Sequence, residues 1–321
     1  AYTIANEPID SIDLMERASM AFVDWFVSRF DSEKEVWVFC GTGNNGGDGL
    51  AIARMLHAKK YSIKVFVINP QKHRSKDFEA NYQRFLPLFK IVSIKEGSDI
   101  QVVPDHVTAI DAMFGSGLDR PVEGLYADVI RTINRSKCPT IAVDIPSGLF
   151  ADQVSISEAI VKADYTVAFQ VPKLAFVMKD SAAYVGKWTV VDIGLDESFI
   201  NSCETEYYVV AMESIKSLIY PRIKFGHKGT YGHALIVAGS YGKMGAAVLS
   251  SRAAMRSGLG LLTIHSPTCG VAILQSSVPE AMISVDPTEL HFGEIPDTSH
   301  YTGIGIGPGL DQKEKSVKAL K

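Results

Sequence analysis

The stretch that most constrains the fold is residues 36–56. An apolar run, Val36-Trp37-Val38-Phe39-Cys40, leads into Gly41-Thr42-Gly43-Asn44-Asn45-Gly46-Gly47-Asp48-Gly49 and then Leu50-Ala51-Ile52-Ala53-Arg54-Met55-Leu56. The first reads as a buried strand and the last as a helix. Strand, glycine-rich turn and helix is how α/β proteins present backbone N–H groups to an anionic ligand. The glycines are expected to give the turn positive φ and to let a ligand approach the backbone closely.

The letters also fit G-x-G-x-x-G from Gly41 to Gly46, a weak match alone. A dinucleotide dehydrogenase should carry an acid about 20 residues on, at the end of the second strand, to hold the ribose hydroxyls. Here the second strand, Ile63–Ile68, ends in Asn69-Pro70. Asp48 at the start of the helix would also repel a pyrophosphate in the usual position. The loop therefore reads as a polar site of another design, with Asn44, Asn45 and Asp48 adding side-chain chemistry to the backbone. A plain dehydrogenase is disfavoured.

The rest of the first two hundred residues alternates strands and helices, which predicts a doubly wound parallel sheet. Apolar positions at helical spacing, Ile12, Met15, Phe22 and Phe26, predict a helix over Ser11–Phe30 that packs on the sheet or on a second subunit. A polar helix is expected around Arg74–Phe89, and strands near Lys90–Ile94, Val107–Ile110, Thr140–Val143, Tyr165–Phe169 and Trp188–Val191. Two strands end in aspartates, Asp111 and Asp144, each opening a loop: 111–121 and Asp144-Ile145-Pro146-Ser147-Gly148. In such sheets ligands bind outside the carboxyl ends of the strands. Three loops converging there make a site. Lys173 also follows a strand, but is expected to be a solvated lysine.

Apolar periodicity fades around Leu195–Thr205, which sets a domain boundary at 205/206. A short strand and helix near Tyr207–Leu218 bridge to the next part. From Gly226 a second strand–glycine loop–helix unit follows: Ala234–Ala238, Gly239-Ser240-Tyr241-Gly242-Lys243-Met244-Gly245, and an alanine-rich helix over 246–257. It lacks the Gly-Lys-Ser/Thr of a Walker A loop. Strands at Leu261–His265 and Tyr301–Ile306 complete one or two βα units, which is less than a closed domain core.

At 321 residues the chain has room for two cores. A net charge of −4 gives no support to a nucleic-acid or membrane surface. Cys40, Cys138, Cys203 and Cys269 are far apart with no C-x-x-C pair, which disfavours structural zinc and fits a reducing cytoplasm. The expectation is a cytoplasmic homo-oligomer acting on a small molecule, with neither nucleic acid nor membrane as partner.

Taken together, Gly41–Gly49, Asp111–Pro121 and Asp144–Gly148 resemble the NAD(P)H-hydrate epimerase family. Lys228–Leu310 resembles the start of the ADP-dependent NAD(P)H-hydrate dehydratases. The resemblance covers almost the whole chain. It implies a Rossmann-like α/β domain over 1–205, followed by an incomplete ribokinase-like domain over 206–321. It also implies an isomerase joined to a lyase, as in bifunctional nicotinamide nucleotide repair proteins. The epimerase interconverts the R and S hydrates of NADH and NADPH. The dehydratase returns the S form to the intact cofactor, coupled to nucleotide cleavage and using ADP with Mg2+.

By that resemblance, Asn44, Asn45, Gly46, Gly47 and Asp48 contact the hydrate, as do Gly115, Ser116, Gly117, Leu118, Asp119, Arg120, Pro121 and Asp144. Asn45, Asp111 and Ser147 would hold a potassium ion; a large monovalent cation takes oxygen ligands of this kind. Asp144 or Asp48 would be the acid–base group. In the second part Ala247 and Gly309 would approach the hydrate. Asp311 stands where the family commonly has glycine, and no G-x-G-D occurs between Gly226 and Lys321. The competing readings are a binding or scaffold protein without turnover, and a ribokinase-like small-molecule kinase.

Overall fold

The computed structural model describes residues 2–321 apart from Phe89, Ile156, Ala211 and Tyr220, and leaves aside the side chain of Glu213. The chain forms two compact units, Ala1–Tyr208 and Val209–Lys321.

The first unit has strands β1 (Val36–Cys40), β2 (Ile63–Ile68), β3 (Ile91–Ile94), β4 (Thr108–Ala112), β5 (Thr140–Val143), β6 (Tyr165–Phe169) and β7 (Lys187–Val191). Its helices are α1 (Tyr2–Asn6), α2 (Ser11–Val27), α3 (Asn44–Ala58), α4 (Lys76–Phe85), α5 (Gly124–Arg135), α6 (Ala182–Val185) and α7 (Glu197–Ser202). The strands form one parallel sheet in the order β3-β2-β1-β4-β5-β6-β7. The order reverses between β1 and β4, the switch point where loops on the carboxyl edge diverge and leave a crevice.

Strand side chains alternate between faces, so each face needs a cover. On one face Val36, Val38, Cys40, Val65 and Val67 pack with Phe22 and Phe26 of α2, Leu50, Ile52 and Leu56 of α3, and Phe78 and Phe85 of α4. On the other, Trp37, Phe39, Phe66 and Ile68 meet Tyr126, Val129, Ile130 and Ile133 of α5. The apolar stripe of α2 is thus used by the chain's own sheet. Helix α4 is shorter than expected: Ser75 caps it, accepting from Phe78 N, and it ends at Phe85. Its expected last residue, Phe89, lies outside the described residues.

The glycine run departs most from expectation. It is not an open turn: α3 begins at Asn44, with Gly43 as an extended N-cap. None of Gly41, Gly43, Gly46, Gly47 and Gly49 has positive φ. The glycines serve packing instead. A Cβ on Gly46 would lie 2.0 Å from Gly41 O, and one on Gly41 would lie 2.1 Å from Met113 O. One on Gly49 would lie 2.6 Å from Ala112 Cβ. The first two turns of α3 are sunk against the strand ends at a depth that no side chain permits.

The second unit contains α8 (Met212–Leu218), β8 (His233–Val237), α9 (Met244–Arg256), β9 (Leu261–Pro267), α10 (Val271–Ser277), β10 (Met282–Asp286), β11 (Gly303–Ile306) and α11 (Glu314–Ala319). The strands form a parallel sheet, β10-β9-β8-β11. This is more than the one or two βα units expected. Two apolar clusters form, one around Ile236, Met244, Ala247, Leu262 and Ile264, the other around Leu235, Val237 and Phe292. Strand β11 is an edge strand whose four residues are all exposed, including Ile304 and Ile306. Among the described residues no helix is long and apolar enough to cross a membrane.

Candidate functional site

A cavity of about 1180 Å³ opens at the β1/β4 switch point. That exceeds the ~300–1,000 Å³ of most small-molecule pockets, leaving room for a dinucleotide. Thr42, Gly43, Asn44, Asn45 and Asp48 form one wall, and residues 113–123 form another. Asp144 lines it from the end of β5 and Phe169 from the end of β6.

Of the residues expected at the site, Asn44, Asn45, Asp48, Gly115 to Pro121 and Asp144 line this cavity. Gly46 and Gly47 do not: both are buried in α3, where the lack of a side chain lets the helix approach β1 and α4. Asp111 and Ser147 also lie outside the lining and are fully buried. Lys72, His73, Thr42, Tyr126 and Phe169 line the cavity without having been singled out. The available signal was position, since Lys72-His73 and Phe169 follow or end strands at the same edge. In the second unit Ala247 is fully buried, packed beside Gly239. Gly309, at φ +78°, sits against Ala246 and Gly239, and its carbonyl accepts from Ser240 Oγ at 2.7 Å.

The three loops are bound together by Asp111. Its Oδ2 accepts from Ser147 N at 2.7 Å, and its Oδ1 from Ser147 Oγ at 2.6 Å and Met113 N at 3.2 Å. Ser147 Oγ in turn accepts from Phe114 N at 2.9 Å, and Asn45 Nδ2 donates to Phe114 O at 2.9 Å. Burial pushes the Asp111 carboxyl up to about 6, against the pull of the Ser147 and Met113 hydrogen bonds. No lysine or arginine among the described residues pairs with it. A buried carboxylate with the Ser147 hydroxyl beside it and the Phe114 carbonyl next to that hydroxyl offers oxygen donors of the kind a weakly hydrated monovalent cation takes.

The two other aspartates differ in environment. Burial pushes the Asp48 carboxyl well above the ordinary carboxylate range, and the nearby charges of Asp144 and Asp77 add to the rise. Asp144 takes the left-handed backbone conformation at φ +67°. Its Oδ1 accepts from Phe169 N at 3.0 Å and forms an ion pair with Lys173 Nζ. Lys173 is therefore not the solvated lysine expected. Its side chain is only 10% exposed, because the turn after β6 folds it back onto the end of β5. The cavity is thus lined both by Asp48, a carboxyl inclined to keep its proton, and by Asp144, which is ion-paired to Lys173.

A family model described as the YjeF-related protein N-terminus matches residues 11–175, just over half of the chain. The chain belongs to the YjeF-related N-terminal family. An NAD(P)H-hydrate epimerase of Limosilactobacillus fermentum is 39% identical over 191 residues, covering 60% of this chain and 90% of that relative. A second model, described as NAD(P)H-hydrate dehydratase, matches residues 234–321. A bifunctional NAD(P)H-hydrate repair enzyme of Coxiella burnetii is 31% identical over 323 residues, or 97% of this chain and 63% of the relative. The chain thus spans about three fifths of the length of the bifunctional relatives it matches. An ADP/ATP-dependent NAD(P)H-hydrate dehydratase from Bacillus subtilis, co-crystallized with ATP/Mg2+, aligns at 36% identity and a TM-score of 0.29 over 34% of this chain. In the YjeF-related unit, all three segments that carried the sequence resemblance meet at the β1/β4 crevice.

Proposed function

We propose that the first unit interconverts the R and S hydrates of NADH and NADPH. The second unit belongs to a dehydratase that takes the S hydrate with ADP and Mg2+. The observation that carries the reading is that Asp48 and Asp144 line the same dinucleotide-sized cavity, with Asn69 where a dehydrogenase would carry its ribose-binding acid. Epimerisation needs no redox partner. The hydroxyl takes the proton of Asp48 and leaves as water, while the ring nitrogen's electron pair compensates the carbon. Water then adds to the other face and returns a proton, and the Asp144 carboxylate steadies the developing charge and orients the water. Ring opening and reclosure would use the same two groups. Arg120 and the Gly115 and Gly117 backbone would meet the pyrophosphate.

The test is to incubate the protein with the R hydrate and a separate S-specific dehydratase. NADH should return far faster than with the dehydratase alone; an unchanged rate would remove the epimerase reading in favour of a binding or scaffold role.

Asn45, Asp111 and Ser147, with Phe114 O, would hold potassium. Bound there, the ion would neutralise Asp111 and fix the three loops. Replacing tetramethylammonium by potassium at equal ionic strength should raise Tm by a few degrees. A stabilisation of about 1–2 kcal/mol corresponds to roughly 2–8 °C for a unit of this size. Asp111→Asn should abolish the difference, and equal Tm values in the two salts for the unaltered chain would reject the ion site.

A further inference from the structure

We propose that Lys173 is a positioning residue for the reaction: it clamps the Asp144 carboxylate at the cavity wall without itself meeting the substrate. The inference rests on the epimerase reading above and adds a residue to it.

The geometry of the turn after β6 carries the argument. Lys173 does not line the cavity, whereas Asp144 and Phe169 do. Its ammonium has three donors, and three acceptors surround it: Asp144 Oδ1, Phe169 O at 3.2 Å and Val171 O at 3.3 Å. Asp144 Oδ1 is thus held from two sides, by Lys173 Nζ and by Phe169 N. No partner for Oδ2 is found among the described residues, so Oδ2 is the oxygen available to the cavity. The carboxylate is fixed in rotation by its inner oxygen and keeps its outer one for the substrate.

Two left-handed residues build this arrangement, one on each strand end. Asp144 lies at φ +67° and Gln170 at φ +62°. Such backbone costs a non-glycine residue about 1–2 kcal/mol, and it persists where surrounding contacts over-determine it. Gln170 is over-determined: its Oε1 accepts from Ile193 N at 3.0 Å and Leu195 N at 3.3 Å, and its own N donates to Val191 O at 2.9 Å. The turn at Gln170 reverses the chain so that Lys173, four residues past the strand end, reaches back to Phe169 O. A lysine needed only for solubility would not require this anchoring.

The test compares Lys173→Met, which keeps length and apolar stem but removes the charge, with Lys173→Arg. Outer-shell partners that orient a reacting group are worth roughly 10–100-fold in rate. Lys173→Met should therefore lower kcat by about 30-fold, with KM moved less than about threefold, because an interaction acting in the transition state appears in kcat. Lys173→Arg should restore a large part of the loss. In an Asp144→Asn background, Lys173→Met should cost less than about threefold more, because the two residues act as one unit.

A kcat for Lys173→Met within about threefold of the unaltered chain would overturn the proposal. So would a full additional loss in the Asp144→Asn background, which would mean that Lys173 acts independently. If Lys173→Met does not fold, Lys173→Gln alone and over Asp144→Asn still decides. A measurable defect that disappears in the double variant supports the clamp; a defect that persists, or none in either background, rejects it. Failure of the unaltered chain to epimerise would fall on the functional reading instead, so the two failures are distinct.

Discussion

Asp144→Asn is expected to lower kcat/KM for hydrate epimerisation by several hundredfold while the protein stays folded; removing one group that stabilises developing charge costs roughly 10²–10³-fold. The fold survives for two reasons. Asparagine tolerates left-handed backbone as well as aspartate does, so φ +67° at this position is not a new strain. The amide also retains an oxygen to accept from Phe169 N and Lys173 Nζ. What disappears is the negative charge on the atom facing the reacting carbon. Steady-state rates from the coupled assay, with circular dichroism as the folding control, measure both halves of the statement. Activity within a few-fold of the unaltered chain would move the essential role to Asp48, whose buried carboxyl holds its proton beyond the ordinary range.

Gly46→Ala is expected to destabilise the first unit by about 3 kcal/mol or more and to abolish activity with it. Two effects oppose each other. Alanine is favoured over glycine inside a helix by about 1 kcal/mol, and Gly46 lies in the first turn of α3. Against that, the new Cβ would stand 2.0 Å from the carbonyl oxygen of Gly41. The Gly41 oxygen is backbone and a Cβ has no rotamer, so neither can turn away, and the clash outweighs the propensity. For a unit of this size the loss corresponds to a fall in Tm of roughly 6–12 °C. Gly43→Ala is the control: nothing lies within 4 Å of its Cβ, and its Tm should change little. A stabilised Gly46→Ala protein would show that the helix moves outward freely and that the glycines have another purpose.

Much of the first unit was legible in the residues. The apolar runs at 36–40, 63–68 and 140–143 could be little else than buried strands, and Asp111 and Asp144 follow directly from where two such runs stop. The alternation with helices gave the parallel sheet, and the sheet gave the edge on which a site must lie. Glycine is a poor helix former, so local propensity in the glycine run argues for a turn; tertiary packing of α3 against Gly41 and Ala112 overrides it. Strand β10 was missed because its sequence, Met-Ile-Ser-Val-Asp, has exposed apolar and buried polar members, so neither periodicity stands out. The clamp on Asp144 was hidden for a different reason. Lys173 is 29 residues away in sequence, and only the left-handed turn at Gln170 brings it back. Ala247 carried no local sign that it would be covered by Gly239.

The outer side of β11 has a consequence for the behaviour of the chain in solution. A parallel edge strand presents a row of backbone donors and acceptors that can template another strand, and proteins ordinarily blunt such edges with lysine, proline or a bulge. Gly303-Ile304-Gly305-Ile306 has none of these. Its two isoleucines are about half exposed, and its glycines offer no side-chain bulk to hinder an incoming backbone. Such a strand is a short adhesive seam, open to any extended segment that meets it.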